Sequence, residues 1–181
     1  MPYHKKELPP KRLLSLGTTL FELCLVLSLI GLVLFTLSLS LQVSRRHRVW
    51  VELDRLYTVI RYLQRMALID GKIYKLKFDI EGGSYSADRV WKLGSSVYFG
   101  VPHRFHGQRI KGPPGKPKKE ISHGCSWSKD TLEIYPTGSL SAGALYLTDT
   151  AGSCVYALTI DASEVTALRR YYYDRTWKLV E

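Results

Sequence analysis

From Leu13 to Val43 the chain carries no charge except Glu22. Between Leu20 and Leu41 it is mostly Leu, Val, Ile and Phe, broken only by Glu22, Cys24, Ser28, Gly31, Thr36, Ser38 and Ser40. A helix of that length reaches across the ~30 Å hydrocarbon core of a bilayer, and it lacks the polar face of a helix half buried in a soluble protein. One membrane span over about residues 20–41 is expected. Past Val43 the charges return while the helical spacing persists. Leu53, Leu56, Tyr57, Ile60, Leu63 and Ala67 recur on one face, and Glu52, Arg55, Gln64 and Arg65 fall on others. The same helix should therefore continue to Asp70, where Gly71 supplies the left-handed residue that commonly ends helices.

After Gly71 the period changes to two: Tyr74, Leu76, Phe78 and Ile80 alternate with Lys75, Lys77 and Asp79, as in a half-buried strand. Further strands are expected over Tyr85 to Leu93, Val97 to Val101, Thr131 to Tyr135, Ala144 to Asp149, Cys154 to Asp161 and Val165 to Tyr173, separated by Gly- and Pro-containing turns. The fold class is α+β, a long N-terminal helix packed on a C-terminal antiparallel β-sheet. The chain divides into residues 1–17, the helix at 18–70 and a β-rich domain at 71–181.

A carboxylate inside a bilayer costs a few kcal/mol near the centre and less near an end, so Glu22 calls for a partner and a purpose. The segment before it is basic, with Lys5, Lys6, Lys11 and Arg12, and no small-residue cleavage site follows Leu41, so the apolar segment is kept. Gly17-Thr18-Thr19-Leu20-Phe21-Glu22-Leu23, preceded by that basic leader and followed by the apolar helix, resembles the class III prepilin signal of type IV pilins and type II secretion pseudopilins. Gly17 matches the last leader residue, Thr19, Leu20 and Glu22 match the motif, and Gly31 falls where many members carry glycine. Thr18 stands where Phe is usual.

The resemblance implies cleavage between Gly17 and Thr18 by a prepilin peptidase and methylation of the new Thr18 amine. It also implies an inner-membrane, single-pass location with the C-terminal domain in the periplasm. The basic residues flanking the span are too nearly balanced to give that orientation by themselves. An N-terminal ammonium on a neighbouring subunit would neutralise Glu22 and set filament register. The order around Leu132 to Gly138, Gly143 to Leu147 and Val155 to Ile160 is similar to the C-terminal domain of H-type pseudopilins and related minor pilins, while Pro102 to Ser128 has no counterpart. The expected role is a minor pseudopilin supporting protein export, with other pseudopilins or pilins, inner-membrane lipid and exported cargo as partners.

The net charge of +10 includes the leader, and side chains beyond Gly17 sum to +7. Such a surface suits acidic lipid, an acidic subunit or nucleic acid. Lys111-Gly-Pro-Pro-Gly-Lys-Pro-Lys-Lys119 is expected to project as a solvated loop. Cys125 and Cys154 fall in the exported domain, where oxidation would allow a disulfide between them, whereas Cys24 lies in the span. His103, His106, His123 and Cys125 are irregularly spaced for zinc. No nucleophile elbow, phosphate loop, HExxH or paired carboxylates occur, so no catalytic residue, cofactor or metal is expected.

Two other readings remain. Arg169 and Arg170, beside Tyr171, Tyr172, Tyr173, Arg175, Trp177 and Lys178, would suit a nucleic-acid or partner contact in a minor type IV pilin of pilus assembly or DNA uptake. Against it, a closing strand with an aromatic inner face explains most of these residues. The remaining reading is a membrane-tethered enzyme or sensor domain.

Overall fold

A computed structural model describes residues 15–103, 105, 107–161 and 167–180, with side chains from Thr19 onward except at 38–43. The basic leader residues up to Arg12, His106 and the expected strand start at Val165 lie outside these. One helix, α1 (Ser15–Asp70), is followed by β1 (Tyr74–Asp79), β2 (Ser84–Ser86), β3 (Val90–Lys92), β4 (Val97–Phe99), β5 (Thr131–Ile134), β6 (Gly143–Asp149), β7 (Val155–Ile160), β8 (Leu168–Asp174) and β9 (Thr176–Val180). The helix ends where expected, with Gly71 at φ 62°. The fold is α+β with an apolar N-terminal helix. The chain forms two compact units that divide between Leu41 and Gln42, so the second half of α1 belongs to the same unit as the strands.

In that second unit α1 buries Val49, Leu53, Leu56, Ile60, Leu63 and Ala67, a stripe at alternating spacings of four and three. The expected face is there, extended by Val49, while Tyr57 is only half buried. The strands form two antiparallel sheets rather than the single sheet expected, one in the order β3-β2-β1-β5 and one in the order β4-β6-β7-β8-β9. Leu76, Phe78, Leu132 and Ile134 from the first sheet and Leu145, Leu147, Leu158, Ile160 and Leu168 from the second share one core with the helix stripe.

The two sheets differ in how they are covered. In β1 buried and exposed positions alternate, as the period of two predicts. Every residue of β6 and β7 is buried, because both faces of the second sheet are packed. One face meets α1. On the other, Tyr146, Ala157 and Tyr171 pack with Val101, Ile121 and Trp177, and Val155 and Tyr173 pack with Phe105 and Ile110. Val101, at the end of an expected strand, and Phe105, Ile110 and Ile121, from the stretch past it that the sequence left without an element, form the second cover of this sheet.

The strand expected from Tyr85 to Leu93 is instead a short hairpin. Ala87 N–H donates to the Arg89 carbonyl at 3.0 Å, and Tyr85 stacks on Trp91 at 5.5 Å between ring centroids. At the far end, β8 turns at Arg175 into β9, which pairs Tyr173 with Trp177.

The turn from β6 to β7 is organised by a buried carboxylate. Asp149 accepts hydrogen bonds from the Ser153 N–H at 2.6 Å, the Ser153 hydroxyl at 2.9 Å and the Cys154 N–H at 3.2 Å. Burial opposes its charge, yet the donors from Ser153 and Cys154 outweigh burial and hold the carboxyl below its ordinary range. Asp149→Ala should therefore cost about 2 kcal/mol at neutral pH, read from thermal unfolding of the detergent-solubilised chain. Since the folded carboxyl is the stronger acid, its contribution is complete above the ordinary carboxylate pKa and is lost as pH falls toward the folded one. The gap between wild type and variant should accordingly narrow below about pH 4.

Candidate functional site

Thr19–Leu37 is a 19-residue stretch of α1 long and apolar enough to cross a membrane, and none of it is buried among the described residues. Two of its hydroxyls are satisfied within the helix. The Ser28 hydroxyl donates to the Cys24 carbonyl at 2.7 Å and Thr36 to the Val33 carbonyl at 2.9 Å, as hydroxyls in an apolar surrounding require. Glu22 is different. It is exposed, and among the described residues it has no ion pair. Gly17 and Thr18 lie in the first turns of α1, and Thr18 precedes Glu22 by four residues, one helical turn along the same face. The chemistry this arrangement offers, among the described residues, is one acidic side chain without an ion pair on an exposed apolar stretch.

Arg169 and Arg170 do not form a joint site. Alternation along β8 sends their side chains to opposite faces of the sheet. The Arg170 guanidinium lies 2.6 Å from Asp54 Oδ1, with its centre 4.8 Å from the Trp50 ring and 4.6 Å from the Tyr57 ring, and the side chain is only 15% exposed. It bolts the second sheet to α1 through an ion pair and two cation–π contacts, and is not free for phosphate. Arg169 is about half exposed and lies 3.0 Å from Asp161. The aromatic residues divide in the same way. Tyr171 and Tyr173 pack on the face covered by the 101–126 segment, while Tyr172 meets Tyr156 at 5.1 Å on the helix side. A closing strand with aromatic packing is what these residues build.

The disulfide expected between Cys125 and Cys154 is not formed, and both are buried free thiols. Cys125 bridges to Leu145 on the β4 side of β6, whereas Cys154 lies at the opposite end of that strand, just before β7 on its other side. Two strand spacings and four residues along the strand put their Cα atoms about 15 Å apart, beyond the ~7 Å that a disulfide spans. Burial pushes both thiols up to about 12, with the Asp149 carboxylate adding to the effect at Cys154.

His103 and His123 are exposed, and no group of three metal-ligating side chains occurs among the described residues. His106, the remaining histidine of that set, lies outside them. The Pro-rich segment does not simply project. Trp177 Nε1 donates to the Lys111 carbonyl at 2.7 Å, and Lys116, whose side chain is 12% exposed, donates to the Ile160 carbonyl beside Asp161. Burial pushes the Lys116 ammonium down, against the attraction of Asp161. Sequence reasoning missed this node of Lys116, Asp161 and Arg169, because its members are distant in the chain and no local pattern links them.

Arg170→Ala should lower stability by about 2 kcal/mol, and Arg170→Lys by roughly half as much because an ammonium lacks the planar fork. Thermal unfolding in detergent reads both. Unfolding the oxidised protein in denaturant without reductant should expose two thiols that the folded domain withholds from a disulfide reagent; none appearing would mean that Cys125 and Cys154 are bonded. No family model matches this chain, and no curated protein or solved structure matches it.

Proposed function

We propose that this chain is a minor pseudopilin of a type II secretion system, or a closely related minor pilin, whose helix enters a filament while its β-rich domain contacts neighbouring subunits or exported cargo. The observation that carries the reading is Glu22, which has no ion pair among the described residues and lies one turn after Thr18 on an apolar stretch that no described residue covers. Cleavage after Gly17 would create an ammonium at Thr18. Brought within about 4 Å of a neighbour's Glu22, it would gain roughly 4 kcal/mol at an intermediate effective dielectric, enough to offset the cost of a carboxylate near the membrane. Such a pair forms only when two helices stand at one axial offset, so neutralisation and filament register become one event. The β-rich domain lies on the periplasmic side in this reading and works mechanically. Nucleic acid is the weaker partner, since Arg170 is already committed to Asp54, Trp50 and Tyr57.

Intact mass and N-terminal sequencing of the chain, expressed with and without a prepilin peptidase, test the reading. Cleavage before Thr18, with or without an added methyl group, is the expected result; a Met1 start under both conditions would overturn it in favour of a membrane-tethered domain. Glu22→Ala should be cleaved normally yet enter filaments about tenfold less well, because the variant loses the pairing energy together with the carboxylate's membrane cost, a net loss of about 1.4 kcal/mol.

A further inference from the structure

The turn between β8 and β9 carries cations that the packing does not use. Arg175 sits there at φ 60°, a left-handed conformation that glycine adopts freely and arginine only at some cost. Beside it is a cleft of about 640 Å³ whose wall includes Arg109, Lys111, Lys118, Arg175 and Trp177 and, among the described residues, no carboxylate. Arg109 is paired with Glu120 at 2.6 Å. Lys111, Lys118 and Arg175 have no ion pair among the described residues. The wall is held in place without them: Trp177 is tied to the Lys111 carbonyl, Gly112 N–H donates to the Lys119 carbonyl at 3.2 Å, and Lys116 anchors the far side of the loop at Ile160.

The cleft has a definite place in its unit. The Arg46 guanidinium lies over the Tyr172 ring at 5.8 Å, so β8 runs toward the end of the unit at which the chain enters from the apolar segment. Arg45, Arg46 and Arg48 are exposed at that same end. Asp174, next to Arg175 in the chain, is held by Lys178 at 2.8 Å, and Lys178 first, then Arg175 and Arg46, draw its carboxyl below the ordinary range. Arg45 follows Leu41, the last residue of the apolar run, by four positions, and an extended chain covers at most ~3.6 Å per residue, so by any path it stays within about 15 Å of that run.

We propose that this basic end of the folded unit docks on anionic phospholipid headgroups of the membrane its own helix spans, with the cleft between the Pro-rich segment and the β8–β9 turn taking a lipid phosphate. Three features favour lipid over a soluble polyanion. The covalent tether keeps the headgroups at high effective concentration, whereas a nucleic acid or acidic protein must be captured from solution. Basic residues next to a span are drawn to anionic leaflets within a Debye length. A tryptophan beside them, apolar in body with a polar edge, suits the interface. The docking needs only that the helix sits in a bilayer, so it stands or falls apart from filament entry.

The test compares full-length protein in nanodiscs of phosphatidylcholine alone with protein in discs containing about one-third phosphatidylglycerol, reading amide hydrogen exchange over residues 107–119 and 174–178. Anionic discs should slow exchange there by about fivefold or more, with about 0.5 M NaCl removing most of the difference. Arg175→Gly relieves the strained turn and so keeps the fold, and together with Lys118→Gln it should abolish the lipid dependence. Equal exchange in both kinds of disc overturns the proposal. So does protection conferred on phosphatidylcholine discs by added oligonucleotide or polyglutamate when anionic lipid confers none.

Discussion

Both sheets depend on one surface, the stripe of Val49, Leu53, Leu56, Ile60, Leu63 and Ala67 on α1. The Leu and Phe side chains that β1, β5 and the inner face of the second sheet turn toward the helix are kept from water by this stripe, because a sheet face must be covered to bury its apolar side chains. The helix supplies one rigid cover for both. Its polar contacts then fix where each sheet sits: Arg170 reaches Asp54 from β8, and Gln64 donates to the Gly138 carbonyl in the turn after β5. Losing the stripe would leave two sheets with no common layer.

The second sheet is the more demanding structure. Its central strands are buried on both sides, where polar groups are cut off from water. Asp149 supplies partners for the β6–β7 turn and Thr148 donates its hydroxyl to the Cys154 carbonyl at 2.7 Å, whereas the buried Thr159 hydroxyl of β7 has no hydrogen-bond partner among the described residues. Gly143 is required for space: a Cβ there would overlap the Trp127 indole, whose N–H is committed to the Ser141 carbonyl at 2.9 Å. The Pro-rich segment and its neighbours form the outer cover of this sheet, which is why Lys116 is drawn in beside Asp161.

The two halves of α1 face opposite solvent problems. From Gln42 onward the helix has an apolar stripe and charged remaining faces, and the stripe is filled by the sheets. From Thr19 to Leu37 it is apolar on every side and no described residue covers it. In that setting hydroxyls fold back on the helix backbone, and a carboxylate cannot. Glu22, which has no ion pair among the described residues, thereby looks outward for a partner, and the filament reading proposed above supplies one by chemistry the chain itself can create at Thr18.

Periodicity was enough to read α1, its end at Gly71, its buried face, and the strands β1, β4, β5, β6 and β7, because each is set by side chains close in sequence. Glu22 stood out for the same local reason: one charge in an apolar run needs no neighbour to be noticed. Tertiary structure decided what depends on distant partners. The division into two sheets follows from strand pairings that no local pattern encodes, and the Tyr85 to Leu93 run is broken into a hairpin in which Tyr85 stacks on Trp91 across the turn. Cys125 and Cys154 stay apart because β6 lies between them. Arg169 and Arg170 look like one basic pair in the sequence, but the alternation of a strand covered on both faces gives one to Asp161 and the other to α1.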